Sequence, residues 1–236
     1  MGKHSDFRAR RAHLVCGESP FPSALMNILI TAGATREPID TVRFLSNVST
    51  GRTGALLADA LHAHGHTVTL LHGEAAVRPA CVRDTATFTS TADLQAALRR
   101  RLGSGAYDAV IHCAAVSDYT PDTSHAGKMS SYAAELTLRL VPTPKLLPEL
   151  KDYAAPRALK VIGFKLTAGA DAQARAVAVA KLFAAGTVDA VIHNDMDDLA
   201  TGDARPFHAW LAGQPAPTPL TGVQGLIAWL TPFIGV

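Results

Sequence analysis

The chain has 236 residues, 48% hydrophobic and 18% charged, so a sizeable core is available and global disorder is excluded. Its 22 basic and 20 acidic residues leave a formal charge of +2, too balanced for a protein dedicated to neutralising nucleic-acid phosphates. Cys16, Cys81 and Cys113 are odd in number and widely spaced, which excludes a disulfide scaffold and any CxxC metal site and fits a reducing, cytoplasmic compartment; no apolar run reaches the roughly 18–20 residues that a membrane helix needs.

Residues 1–25 mix charges with Gly17, Pro20 and Pro22 and read as a poorly ordered extension, ahead of a single domain over 26–236. Residues 27–31 (NILIT) form a short buried strand stopped by Gly33. Leu56, Leu57, Ala60 and Leu61 recur at helical spacing, and Gly65 ends that helix. His62, His64 and His66 are read as a solvated helix tip. Strand 67–71 (TVTLL) closes at Gly73. A helix follows over 92–102, with Asp93 early and three arginines late, a polarity that suits the helix dipole. Residues 109–113 are expected as the third strand, and 133–141 (AAELTLRLV) alternate as a half-exposed strand should. Buried strand 161–164, an alanine-rich helix over about 171–185, strand 190–193, segment 207–211 and a closing helix near 223–233 complete the chain.

This alternation predicts an α/β domain of three layers, with a mainly parallel sheet and antiparallel additions. Ligands of such sheets bind beyond the carboxyl ends of the strands, so the chemistry should lie in the loops after Thr31, Cys113, Phe164 and His193. The loop from Ala32 to Asp40 lacks the GxGxxG spacing of a dinucleotide site, and no Walker pattern occurs. Ser49-Thr50-Gly51-Arg52-Thr53-Gly54 opens a helix with hydroxyls, backbone N–H groups and an arginine. It is either an anion site or a capped start with glycines for packing. Ala114 and Ala115 leave room for a ligand beside the backbone, and Asp118 at a strand end either contacts Mg²⁺ or caps a turn. Lys128 lies in a polar, glycine-bearing loop where a lysine is ordinarily just solvated.

Taken together, residues 30–54 (ITAGATREPIDTVRFLSNVSTGRTG), 114–121 (AAVSDYTP), 127–131 (GKMSS), 162–166 (IGFKL) and 193–195 (HND) resemble phosphopantothenoylcysteine synthetase, the phosphopantothenate–cysteine ligase family of coenzyme A biosynthesis. The resemblance implies a Rossmann-like fold without the flavin-dependent decarboxylase, hence no flavin. It also implies activation of the 4′-phosphopantothenate carboxylate by CTP, with ATP as the alternative, and amide formation with L-cysteine. By resemblance, Gly33, Ser49, Thr50 and Gly51 help bind phosphates, and Ala114, Ala115 and Asp118 contact the nucleotide, Asp118 through Mg²⁺ on the triphosphate. Phe164, Lys165, Asn194 and Asp195 lie near base and ribose. Asn47 holds the acyl group, Lys128 neutralises the phosphate under attack, and Arg43 serves a substrate phosphate near the interface of a homodimer. Here the family's KIKK loop is Lys128-Met129-Ser130-Ser131, and Lys165-Leu166-Thr167 stands where fused bacterial members commonly carry AAE. Two other classes remain: an NAD(P)-dependent reductase, and a non-catalytic nucleotide-binding partner subunit. No nucleic acid or membrane is expected among the partners.

Overall fold

β1 (Asn27–Ala32) is apolar on both faces, with Ile28, Leu29 and Ile30 fully buried, which marks it as a central strand covered from both sides. The computed structural model describes residues 25–130, 132, 135–198 and 204–235. After β1 the chain makes a small hairpin, β2 (Arg36–Pro38) and β3 (Phe44–Ser46), before α1 (Arg52–Ala63) and β4 (Thr67–Gly73). β5 (Thr85–Phe88), α2 (Thr91–Leu102) and β6 (Ala109–His112) follow, then a second hairpin, β7 (Tyr119–Pro121) with β8 (Leu140–Pro142). The rest is α3 (Leu150–Ala154), β9 (Lys160–Thr167), α4 (Ala172–Phe183), β10 (Ala190–Asp195), β11 (Pro206–Leu211), β12 (Thr218–Thr221) and α5 (Gly222–Ile234).

Eight strands form one sheet in the order β12-β11-β10-β9-β6-β1-β4-β5, parallel from β10 to β5 and antiparallel at β11 and β12. One face packs Ile28, Ile30, Ile111 and Ile162 under α1 and α5; the other packs Leu29, Val110 and Val161 under α2, α3 and α4. This is the expected three-layer α/β arrangement. Sequence direction reverses between β1 and β6, since the chain moves from β1 outward to β4 and returns through α2 to β6 on the other side. Loops leaving the carboxyl ends of these two neighbours separate there and open a crevice.

Three expectations need correction, and one falls largely outside the described residues. Residues 109–112 are the fourth strand of the sheet, because Thr85–Phe88 pairs with β4 as its edge. Of the alternating stretch 133–141, residues 135–139 form no strand, and pairing begins only at Leu140. Leu136 is largely exposed, so the alternation has neither a neighbouring ladder nor a core to face. His66 is buried rather than solvated: Gly65, at φ +92°, turns the chain directly into β4, and the His66 ring accepts from the Met26 N–H at 3.3 Å. Residues 1–24 of the expected extension lie outside the described residues.

Candidate active site

The crevice between β1 and β6 holds a cavity of about 830 Å³. Its wall takes residues 47–54 before and within α1, residues 112–118 after β6, the 144–148 segment ahead of α3, and the ends of β9 and β10. Among the described residues, Arg52, Lys145, Lys165 and Arg205 line it against a single carboxylate, Asp118. An apolar side is made by Leu146, Leu147, Pro148, Phe164 and Leu182. A cation-rich bed beside an apolar slot suits a ligand that carries several phosphates and a flat ring.

The anion end is built by the start of α1. Gly51 is in the left-handed region at φ +70°, and its added Cβ would lie 2.8 Å from the Ala76 Cβ, so only glycine lets the chain turn there. The helix has no acidic residue in its first turn and no side-chain cap; the Thr50 hydroxyl is 3.4 Å from the Arg52 N–H. The positive end of the helix therefore points at the cavity. Gly54 permits this placement, since a Cβ there would come within 2.5 Å of the Ala32 Cβ on β1. Arg205 arrives from far along the chain and donates to the Thr53 hydroxyl.

The loop after β6 is held rigidly. Ala114 donates to the Thr31 hydroxyl at 3.1 Å, and Ala115 donates to the Gly33 carbonyl at 2.8 Å. Both alanines line the cavity, but what they offer a ligand is small surface rather than N–H donors. Ser117 N–H donates to the Thr35 hydroxyl, and Thr143 donates to the Ser117 carbonyl. Asn47 reaches the same loop: its Nδ2 donates to the Val116 carbonyl at 3.0 Å, which leaves its second amide hydrogen for another acceptor. Asp118 is ion-paired with Lys145, both side chains being mostly exposed.

His112 and Cys113 form the floor, and neither is set up as a base or nucleophile. The Thr31 hydroxyl accepts from the Ala114 N–H and hydrogen-bonds His112 Nδ1 at 2.9 Å. Burial lowers the His112 pKa to about 4, which keeps the imidazole neutral near pH 7. Burial also pushes the Cys113 thiol far up, so it stays protonated.

Asn47, Ser49, Thr50, Gly51, Ala114, Ala115, Asp118, Phe164, Lys165 and Asn194 thus come together on one cavity wall. Four others stand off it. Gly33, at φ +84°, is packed against Ala76 and Gly73, where a Cβ would meet the Ala76 Cβ at 2.6 Å. The fully buried Asp195 carboxylate accepts from Thr167 Oγ1 at 2.5 Å and from the N–H groups of Gly169 and Asp197, so it fixes the turn after β9. Those hydrogen bonds, led by Thr167, hold its pKa below the usual carboxylate range. Arg43 pairs with Asp40 and donates to the Met129 carbonyl, and Lys128 lies beside that contact. Sequence reading missed His112, Lys145 and Arg205 as wall residues. Arg205 lies 152 positions from its partner Thr53, and no local pattern announces such a meeting.

Among the described residues no group of three or more His, Cys, Asp or Glu side chains could hold a metal ion by itself. The donor set does fit Mg²⁺ carried by a triphosphate, which needs one or two carboxylates besides phosphate oxygens, and among the described residues Asp118 is the acid on the wall. Also among the described residues, no helix is long and apolar enough to cross a membrane.

Residues 24–208 match the DNA/pantothenate metabolism flavoprotein C-terminal domain. The chain is 31% identical over 169 residues to the coenzyme A biosynthesis bifunctional protein CoaBC of Thermococcus kodakarensis, covering 72% of this chain and 41% of that protein. With the protein of the same name from Bacillus subtilis the identity is 34% over 180 residues, covering 76% and 42%. The chain thus spans about two fifths of the length of these curated relatives. Among solved structures, the DNA/pantothenate metabolism flavoprotein from Streptococcus pneumoniae superposes with a TM-score of 0.79 at 26% identity, covering 89% of this chain and 98% of that one. These matches agree with the synthetase resemblance read from the motifs, and the chain belongs to the DNA/pantothenate metabolism flavoprotein C-terminal domain family.

Proposed function

We propose that the chain is a phosphopantothenate–cysteine ligase that works through an acyl-nucleotidylate, with CTP as nucleotide. The observation that carries this reading is the crevice at β1 and β6: among the described residues, four cationic side chains and an open helix N-terminus beside an apolar slot, opposed by one carboxylate. A carboxylate oxygen of 4′-phosphopantothenate attacks the α-phosphorus of CTP, and the bond to the β-phosphate breaks to release pyrophosphate. The cysteine amine then attacks the acyl carbon, loses a proton, and displaces CMP. Neither step is a redox step, so the reaction calls for no flavin.

Both steps bring anions together, so the protein must supply positive potential where charge accumulates. The start of α1 and Arg52 take phosphate oxygens, and Arg205 adds charge from the side, steadied by Thr53. Mg²⁺ bound to the triphosphate, touching Asp118, would neutralise part of its charge. Asn47 gives the amide hydrogen not used on Val116 to the acyl oxygen. Lys128, carried by its exposed loop, neutralises the phosphate under attack. Phe164, Leu147 and Asn194 cover base and ribose. The exposed apolar side chains of Val42, Phe44, Tyr119 and Leu140 on the two small hairpins suit the interface of a homodimer.

The test is product formation. Purified chain with 4′-phosphopantothenate, L-cysteine and each of the four ribonucleoside triphosphates should yield phosphopantothenoylcysteine by mass spectrometry, with CTP giving the highest kcat/KM. A tenfold preference for ATP, about 1.4 kcal/mol in transition-state binding, would reverse the nucleotide assignment. NADPH binding without amide product would move the protein to the reductase class, and nucleotide binding without turnover to the partner-subunit class.

A further inference from the structure

Asp40 sits in the turn of the first small hairpin, outside the cavity wall, and its side chain is fully buried. A carboxylate removed from water in this way needs donors, and it has them on both oxygens. Oδ1 accepts from the N–H groups of Val42 and Arg43 at 2.9 and 2.8 Å, which shapes the turn itself. Oδ2 accepts from Arg43 Nε at 2.9 Å, from Arg43 Nη2 at 2.5 Å, and from the N–H of Met129 at 3.0 Å. Met129 is 89 positions away, in the loop that bears Lys128. Arg43 Nη2 completes the grip by donating to the Met129 carbonyl at 3.0 Å. The ion pair thus holds the residue after Lys128 by its N–H and its C=O at once. A second bond runs parallel, from the His125 N–H to the Ile39 carbonyl at 3.0 Å.

We propose that Asp40 is a positioning residue for Lys128: with Arg43 it clamps the Met129 backbone and so sets where the exposed lysine can place its charge. This rests on the reading of Lys128 as the cation of the ligase reaction. The clamp has a specific need for an anion. An asparagine keeps the shape of Asp40 but turns one acceptor into an N–H₂ donor, which must then face Arg43 and Met129 or the turn N–H groups. The arginine guanidinium holds the Asp40 carboxyl well below the usual carboxylate range, so the clamp stays charged wherever the domain is folded near neutrality. Arg43 is accordingly engaged within its own chain, and its contribution to a substrate phosphate is made from this clamped position.

The bland account is that Asp40 only caps its turn. The two accounts separate in a double-mutant comparison on the full chain. With amide formation as the assay, Asp40→Asn should lower kcat about 10- to 100-fold, the range expected when a catalytic group is misplaced by about an ångström, with KM for CTP changed less than about twofold. Because Asp40 acts through Lys128, the double variant Asp40→Asn/Lys128→Gln should be no slower than Lys128→Gln alone. Hydrogen exchange at the Met129 amide should speed up about tenfold or more while amides in β1 and β6 keep their protection. Multiplicative losses in kcat, or an unchanged Met129 amide, would overturn the proposal. If Asp40→Asn loses protection throughout the sheet, Arg43→Lys replaces it: the lysine keeps the charge but loses the planar guanidinium that grips the carboxylate through Nε and Nη2 while Nη2 holds the Met129 carbonyl, so the clamp loosens and the Met129 amide should exchange faster than in the wild type. A chain that forms no amide in any version refutes the ligase reading, and the exchange measurement then decides the clamp alone.

Discussion

Replacing Asn47 by aspartate should impair catalysis far more than folding. The residue is exposed, and its side-chain amide donates to the Val116 carbonyl at 3.0 Å. Aspartate keeps the shape but sets an acceptor against that carbonyl, so the structural loss is one hydrogen bond at a solvent-facing site. That is about 1 kcal/mol, or a fall of about 2–4 °C in Tm for a domain of this size. The chemical loss is larger. The amide hydrogen assigned to the acyl oxygen disappears, and a negative charge enters a cavity meant for a carboxylate and a triphosphate. Deleting one well-placed donor of this kind lowers kcat about 10²–10³-fold, about 3–4 kcal/mol, and the added charge acts in the same direction. Asn47→Ala removes the donor without the charge and should fall between wild type and Asn47→Asp. Tm, CTP affinity, pyrophosphate release and amide formation are measured on one preparation. A Tm lowered by a few degrees with amide formed at the normal rate would show that Asn47 only tethers the loop after β6.

Lys128→Gln should reduce kcat about 10²–10³-fold with Tm unchanged, because an exposed ammonium contributes little to folding but much to a desolvated phosphate; near-normal turnover refutes the assignment. Gly33→Ala should destabilise by about 2–3 kcal/mol in urea unfolding, since it combines φ +84° with a Cβ 2.6 Å from that of Ala76; wild-type stability would refute the packing account. His112, lowered from 6.5 to about 4, makes stability depend on acid: between these values the unfolded chain takes up a proton that the folded ring refuses. Stability from this ring is fully present above about pH 6.5 and falls by up to about 3 kcal/mol as pH drops toward 4. Urea unfolding at pH 7.5 and 4.5 should show a shallower loss for His112→Gln than for wild type, and parallel losses would contradict the reading.

Central strands were readable because burial on both faces requires continuous apolar runs, as in Ile28 to Ile30 and Val161-Ile162. The edge strand Thr85–Phe88 was not, since it has one ladder partner and a mixed pattern of burial. Alternation over 135–139 misled for the opposite reason: a two-residue period is necessary for a half-buried strand but supplies no neighbour. At the site, the loops after β1 and β6 were legible through glycines, alanines and an aspartate held close along the chain. Arg205 and Lys145 were not, because they reach the wall only through strand order. For Arg43 the resemblance implied a substrate phosphate, and its pairing with the carboxylate three residues earlier was not read from the sequence. His112 lay unused in an apolar run, and its partner, the Thr31 hydroxyl, is met only across the sheet.

The central claim is that this crevice joins a carboxylate to a nucleotide before cysteine enters. Exchange of radiolabelled pyrophosphate into CTP, with cysteine omitted, tests it most directly, because label returns to CTP from an enzyme-held cytidylate and a requirement for 4′-phosphopantothenate identifies that species as the acyl-cytidylate. The account predicts exchange that requires 4′-phosphopantothenate and is lost in Asn47→Asp. No exchange by a folded chain that binds CTP, or exchange that proceeds without 4′-phosphopantothenate, would contradict it.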